Sequence, residues 1–88
     1  MKQVIATATQ LSHALRSARK AKGLSQAEAG QLVGLLPKTI SALENHPGSA
    51  SIDSLLKLLS ALGLELVIDR KLPGGNHGKG NDTAAEEW

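Results

Sequence analysis

Apolar residues recur through the first two thirds of the chain at intervals of three and four, the spacing that gives a helix one buried face. Over residues 10–22, Leu11, Ala14, Leu15 and Ala18 share such a face, while Arg16, Arg19, Lys20 and Lys22 fall on the others. Thr9 precedes this run as an N-cap, basic residues fill its last turn, and Gly23 supplies the stop. Ser25-Gln26-Ala27-Glu28 then has the form of a capping box, in which the Ser hydroxyl accepts from the third helical N–H and the Glu reaches back. This opens a short helix from Gln26 to Val33, closed by Gly34. After Gly34-Leu35-Leu36, Pro37 stands at a first helical position, where its missing N–H is no loss. A third helix runs from there to Asn45 with Ile40 and Leu43 inward. His46-Pro47-Gly48-Ser49-Ala50 has the composition of a loop. Ser51 caps a fourth helix, Ile52 to about Ala61, and Gly63 stops it. Its Ile52, Leu55, Leu56, Leu58, Leu59 and Leu62 are more than one stripe holds, so part of that surface is expected to meet another chain.

Beyond Gly63 the period changes. Leu64-Glu65-Leu66-Val67-Ile68 alternates well enough for a strand. No second strand pattern occurs, and a lone strand leaves its backbone unpaired, so pairing with the same strand of a second copy is the economical solution. The expected homodimer interface comprises Leu64, Leu66 and Ile68 with Leu58 and Leu62 of the fourth helix. The remainder, PGGNHGKGNDTAAEEW, has almost nothing to bury and reads as a flexible tail. The expected division is an N-terminal arm over 1–8, a helical domain over 9–62, a dimerisation strand over 63–70 and a tail over 71–88.

Composition sharpens this picture. A chain of 88 residues, 41% hydrophobic and 20% charged, fits one small globular domain with tails. The absence of Cys excludes disulfides, thiolate metal sites and Cys nucleophiles. There is no Phe or Tyr and the single Trp is Trp88, so 15 Leu must build an aliphatic core, and so small a core gains from oligomerisation. No apolar run approaches the ~20 residues of a membrane span, and MKQVIATATQ is too polar for a signal peptide; a cytoplasmic protein with no membrane association is expected. His13, His46 and His77 lack metal-ligand spacing, and neither a Ser/His/Asp arrangement nor a phosphate loop is visible. No enzymatic activity, metal or cofactor is expected. Residues 1–71 carry nine Lys or Arg against five acids, whereas residues 72–88 carry one Lys against three. A basic body suits an anionic partner, of which nucleic acid is the usual one.

Two short helices joined by a tight glycine turn, the second opening on polar residues, form a helix-turn-helix unit, whose second helix can enter the DNA major groove. The stretch GLSQAEAGQLVGLLPKTISALEN closely resembles the Cro/lambda-repressor-like helix-turn-helix family, matching at Gly23, Leu24, Ser25, Gln26, Glu28, Gly34, Thr39, Ile40, Ser41, Leu43, Glu44 and Asn45. The fold expected is all-α, four to five short helices of the lambda-repressor-like kind, with one C-terminal β-strand pairing across the homodimer. On this resemblance Lys38 falls at a base-reading position, where lysine donates to guanine O6 and N7. Ser41, one turn on, touches a base or a phosphate. Thr39 and Gln26 match phosphate-holding positions, Gln26 at a helix N-terminus where anions are favoured. Lys20, Lys22, Asn45 and His46 are further backbone contacts. Arg19 and Glu44 match a pair that forms a partly buried salt bridge. Leu36 and Pro37 stand where many relatives carry Gln, Thr or Ser, and Ala42 offers only a methyl, so thymine-methyl contact or DNA shape must supply readout there. Gly30 replaces the usual Ala in the second helix, at an intrinsic cost of roughly 1 kcal/mol.

The layout as a whole resembles the HipB antitoxins of bacterial type II toxin–antitoxin operons. The matching pieces are Thr9-Gln10-Leu11, Gly23 to Asn45, Leu62-Gly63-Leu64-Glu65-Leu66 and Glu87-Trp88. The resemblance implies a dimeric repressor of its own operon, bound to a palindromic operator. It also implies that the protein holds a HipA-like Ser/Thr kinase toxin inactive, with Trp88 and the adjoining Glu87 as toxin-binding residues. A stand-alone dimeric repressor shares every body residue with this reading and differs only in what the tail does.

Overall fold

Four α-helices and one 3-10 turn follow one another in the computed structural model, which describes residues 3–71: α1 (Ala8–Ala21), α2 (Gln26–Val33), α3 (Pro37–Asn45), the 3-10 turn (Pro47–Ser49) and α4 (Ile52–Ala61). Glu87, Trp88 and the tail expected over 71–88 lie, past residue 71, outside the described residues.

The bounds of α2, α3 and α4 are set by local chemistry. Ser25 Oγ accepts from the Glu28 N–H at 3.0 Å while Glu28 Oε1 accepts from the Ser25 N–H at 2.8 Å, the expected reciprocal cap. Gly34 ends α2 at φ +73°, a left-handed conformation that glycine adopts without penalty. Ser51 caps α4 through the Ser54 N–H at 3.0 Å. At α1 the expected cap is corrected: Thr7, not Thr9, begins the helix. Thr7 Oγ1 accepts from the Gln10 N–H at 3.1 Å, and Gln10 Oε1 accepts in return from the Thr7 N–H at 3.1 Å. Only Thr7 has a Gln three residues later, and that partner decides between the two threonines. The helical domain accordingly starts before residue 9, and the arm is shorter than residues 1–8.

Leu15, Ala29, Ile40, Leu43, Leu58, Leu59 and Leu62 form the core, with Leu11, Ala18, Leu24, Leu35, Ala50 and Leu55 packed around it. It is wholly aliphatic. α4 lies against α2 and α3, and α1 against α3, so α3 is held from two sides. Leu58 and Leu62, expected at a dimer interface, are instead 0% and 3% exposed within the protomer. They continue the inward stripe that starts at Leu55, and the surplus on α4 is Ile52 and Leu56, 64% and 45% exposed.

Residues 64–71 form neither helix nor strand. The Leu64 N–H turns back to Leu59 O at 2.8 Å, and past it no backbone-to-backbone bond is made among the described residues. A single chain thus supplies no ladder for the expected strand. Leu64, Leu66 and Ile68 are all exposed, as is Val67.

The reading of Gly30 as a cost is also corrected. The chain leaving α2 folds back so closely that a Cβ on Gly30 would overlap the Leu35 carbonyl oxygen and lie 3.5 Å from Ile40 Cγ1. The same approach lets the Leu35 N–H donate to Gly30 O at 2.9 Å. Glycine here sets the tightness of the turn between α2 and α3.

Candidate nucleic-acid interface

α3 divides its residues cleanly. Ile40, Leu43 and Glu44 are buried, while Lys38, Ser41, Ala42 and Asn45 lie at i, i+3, i+4 and i+7 on the opposite face. Lys38, Ala42 and Asn45 are exposed and Ser41 is half-buried. Among the four α-helices described, α3 alone has no side-chain cap: its N-cap is the exposed Leu36, followed by Pro37. Its first turn carries Lys38 and no acid, so this end is electropositive both by residue charge and by the helix dipole.

The inner face explains how α3 is fixed. Glu44 is a charged residue with 0% exposure, and such a group must be paired. Arg19 of α1 grips it at two points, Nε to Oε2 at 2.6 Å and Nη2 to Oε1 at 3.1 Å, and Arg19 Nη1 donates to Leu24 O at 2.9 Å. Gln26 Nε2 donates to Glu44 Oε1 at 3.2 Å. Burial pushes the Glu44 carboxyl upward. The hydrogen bonds from Arg19 and Gln26, together with the charges of Arg19 and Arg16, outweigh this and hold it below the ordinary carboxylate value. The Arg19 guanidinium is raised in turn, chiefly by its hydrogen bond to Glu44. The sequence-expected salt bridge is therefore present, and Gln26 belongs to it.

The remaining candidates separate. Gln26, expected to hold a phosphate, is half-buried and gives one amide N–H to Glu44, at the junction of α1, α2 and α3. Thr39 is half-buried beside the stripe. Lys20 is exposed in the last turn of α1. Lys22 is exposed, and its Nζ and Cε run past Gly63 at the end of α4. Two residues were missed. Ser12 Oγ donates to the Glu44 carbonyl oxygen, and Arg16 Nη2 donates to the same oxygen at 3.1 Å and to Asn45 Oδ1 at 2.8 Å. The available signal was a polar stripe, Ser12, Arg16 and Arg19, at helical spacing along α1. His46 follows α3 as its C-cap. No helix among the described residues is long and apolar enough to cross a membrane.

A capped short helix, a left-handed glycine turn and a second helix with an outward polar stripe over a clamped inner face define a helix-turn-helix domain. The helix-turn-helix family pattern matches residues 15–68. Antitoxin HipB of Escherichia coli O6:H1 (strain CFT073) is 33% identical over 66 residues, which are 75% of this chain and 70% of the relative. A structure of a HipA–HipB–O2–O3 complex superposes with a TM-score of 0.76 at 30% identity, covering 81% of this chain and 100% of the other. A HipB variant in an O2 20mer complex gives 0.75 at 31% identity, over 80% of this chain and 97% of the other. The chain belongs to the helix-turn-helix family and, within it, to the HipB antitoxins.

Proposed function

We propose that this protein is the antitoxin of a type II toxin–antitoxin system, binding a HipA-like Ser/Thr kinase and repressing its own operon. The observation that carries the DNA half is the outward stripe Lys38, Ser41, Ala42 and Asn45 on a helix held by Glu44. Lys38 and Ser41 meet base edges in the major groove, with Pro37 and Ala42 offering apolar contact. Thr39, Lys20 and the open first turn of α3 serve the DNA backbone. Gln26 acts mainly by holding α2 to Glu44, and Lys22 lies toward α4.

Two copies pair through Leu64, Leu66 and Ile68, which one chain leaves 42%, 58% and 94% exposed. A run of exposed apolar residues of this kind marks an interaction surface. Pairing places two recognition helices one DNA turn apart, ~34–36 Å, which suits a palindromic operator. Support for the kinase half comes from the relative that is found with HipA and with DNA in one complex. Glu87 and Trp88 are the residues proposed to anchor the toxin, tryptophan being the commonest interface hot spot.

The experiment is purification of an N-terminally tagged chain from its native cells, with and without Trp88. A kinase that co-purifies and is lost on deleting Trp88 supports the antitoxin and its anchor. A kinase retained equally moves the interface to the body. Recovery without any partner, in cells expressing the neighbouring gene, leaves a stand-alone repressor.

A further inference from the structure

Asn45 lies between a group that only donates and a group that does both. Arg16 Nη2 donates to Asn45 Oδ1 at 2.8 Å, and Asn45 Nδ2 donates to Ser41 Oγ at 3.1 Å. A guanidinium has no acceptor, so the amide oxygen must face Arg16 and the amide NH2 must face Ser41. Arg16 is itself held across the helices: Nη2 also donates to Glu44 O at 3.1 Å, and Nε stands 3.9 Å from Glu44 Oε1.

A serine inside a helix commonly turns its hydroxyl to the carbonyl one turn back. Among the described residues Ser41 makes no such bond, and its one side-chain partner is Asn45, from which it accepts. One lone pair is therefore occupied, one lone pair and the hydroxyl proton stay free, and the chain of donors behind it polarises the O–H so that donating outward gains over accepting. A hydroxyl with no such neighbour reads donor and acceptor base edges alike.

We infer that the Arg16–Asn45 relay biases Ser41 toward donating to DNA, so that the base it faces is favoured when it offers an acceptor, purine N7, guanine O6 or thymine O4, over the amino group of cytosine. Lys38, one turn earlier on the same stripe, is donor-only by nature, and the two polar readers then share one sign. Arg16 becomes a positioning residue for specificity although it belongs to α1. The inference rests on the DNA-binding reading above.

The test uses the full chain and duplexes selected from a random library, followed by binding to all single-base variants of the selected site. Ser41→Ala identifies the position that Ser41 reads, as the one where discrimination against cytosine, about fivefold for a single hydrogen bond at the low end of what a bidentate pair gives, disappears. At that position alone, Asn45→Ala and Arg16→Ala should each lower the discrimination several-fold. Asn45→Asp offers only acceptors, so Ser41 donates to it and turns lone pairs outward; the preference should then move toward donor edges. Asn45 is exposed, so its variants are expected to keep the fold, checked by far-ultraviolet circular dichroism. Unchanged preference at that position in both Asn45 variants overturns the relay, as does a Ser41→Ala protein with the base preferences of the original. Absence of any salt-dependent duplex binding by the unmodified chain overturns the DNA-binding reading itself.

Discussion

Arg19 and Glu44 meet in a two-point contact, with Nε to Oε2 at 2.6 Å and Nη2 to Oε1 at 3.1 Å, and this contact joins the first helix to the recognition helix across 25 residues of sequence. Glu44 is fully buried and the Arg19 side chain is 11% exposed. Removing either partner strands a charge in the interior, which is costlier than the pair itself is stabilising. Arg19→Ala and Glu44→Ala should each lower stability by about 3–5 kcal/mol in denaturant unfolding. Lys57→Ala, which breaks the solvent-exposed pair with Asp53, should cost under about 1 kcal/mol.

The same carboxylate makes the fold sensitive to acid. Its value in the folded chain lies below the ordinary 4.5, so its stabilisation is complete above the unfolded value and is lost as pH falls through the folded one. Urea midpoints measured from neutral pH downward should therefore drop below about pH 4.5. In Glu44→Gln the drop should be smaller, from a lower starting midpoint. An equal drop in both proteins would assign the acid sensitivity to other carboxylates.

Gly30→Ala should destabilise the domain although alanine is the better helix former by ~1 kcal/mol. The added methyl meets the Leu35 carbonyl, a backbone atom that moves only if the turn opens. Overpacking of this kind costs typically about 1–3 kcal/mol, so the net sign is a loss, visible as a lower melting temperature. A rise in melting temperature would show that the turn opens freely.

On DNA, Lys38→Ala should relax base preference, while Gln26→Ala should weaken all duplexes about equally and also lower fold stability, because its amide supports Glu44. Affinity of the unmodified chain should fall steeply with salt, since phosphate contacts release counterions. Mobility shifts on matched and mismatched duplexes at two salt concentrations separate these effects. Equal losses of preference in both variants would defeat this division of roles.

The helices were legible where their ends are chemical and local. Ser25, Pro37 and Ser51 mark where α2, α3 and α4 begin, and Gly34 marks where α2 ends, each by local chemistry. Thr7 and Thr9 look alike until the position of Gln10 is weighed. The outward stripe of α3 follows from helical period alone. What periodicity does not state is which neighbour an apolar residue meets, so Leu58 and Leu62 passed for interface while serving the protomer's own core. Arg16 and Ser12 escaped for a related reason: their partners, Glu44 and Asn45, lie 28 or more positions away. Gly30 reads as a loss in a helix taken by itself, and as a requirement only once Leu35 has folded back over it.

The wholly aliphatic core has a practical consequence for any spectroscopist. Residues 3–71 hold no Phe, Tyr or Trp, and the chain's one indole is Trp88. Intrinsic tryptophan fluorescence therefore reports the surroundings of the last residue alone. Ellipticity in the far ultraviolet reports the helices. Helix content and the environment of Trp88 can thus be followed as two separate optical signals in a single cuvette, without a label on either.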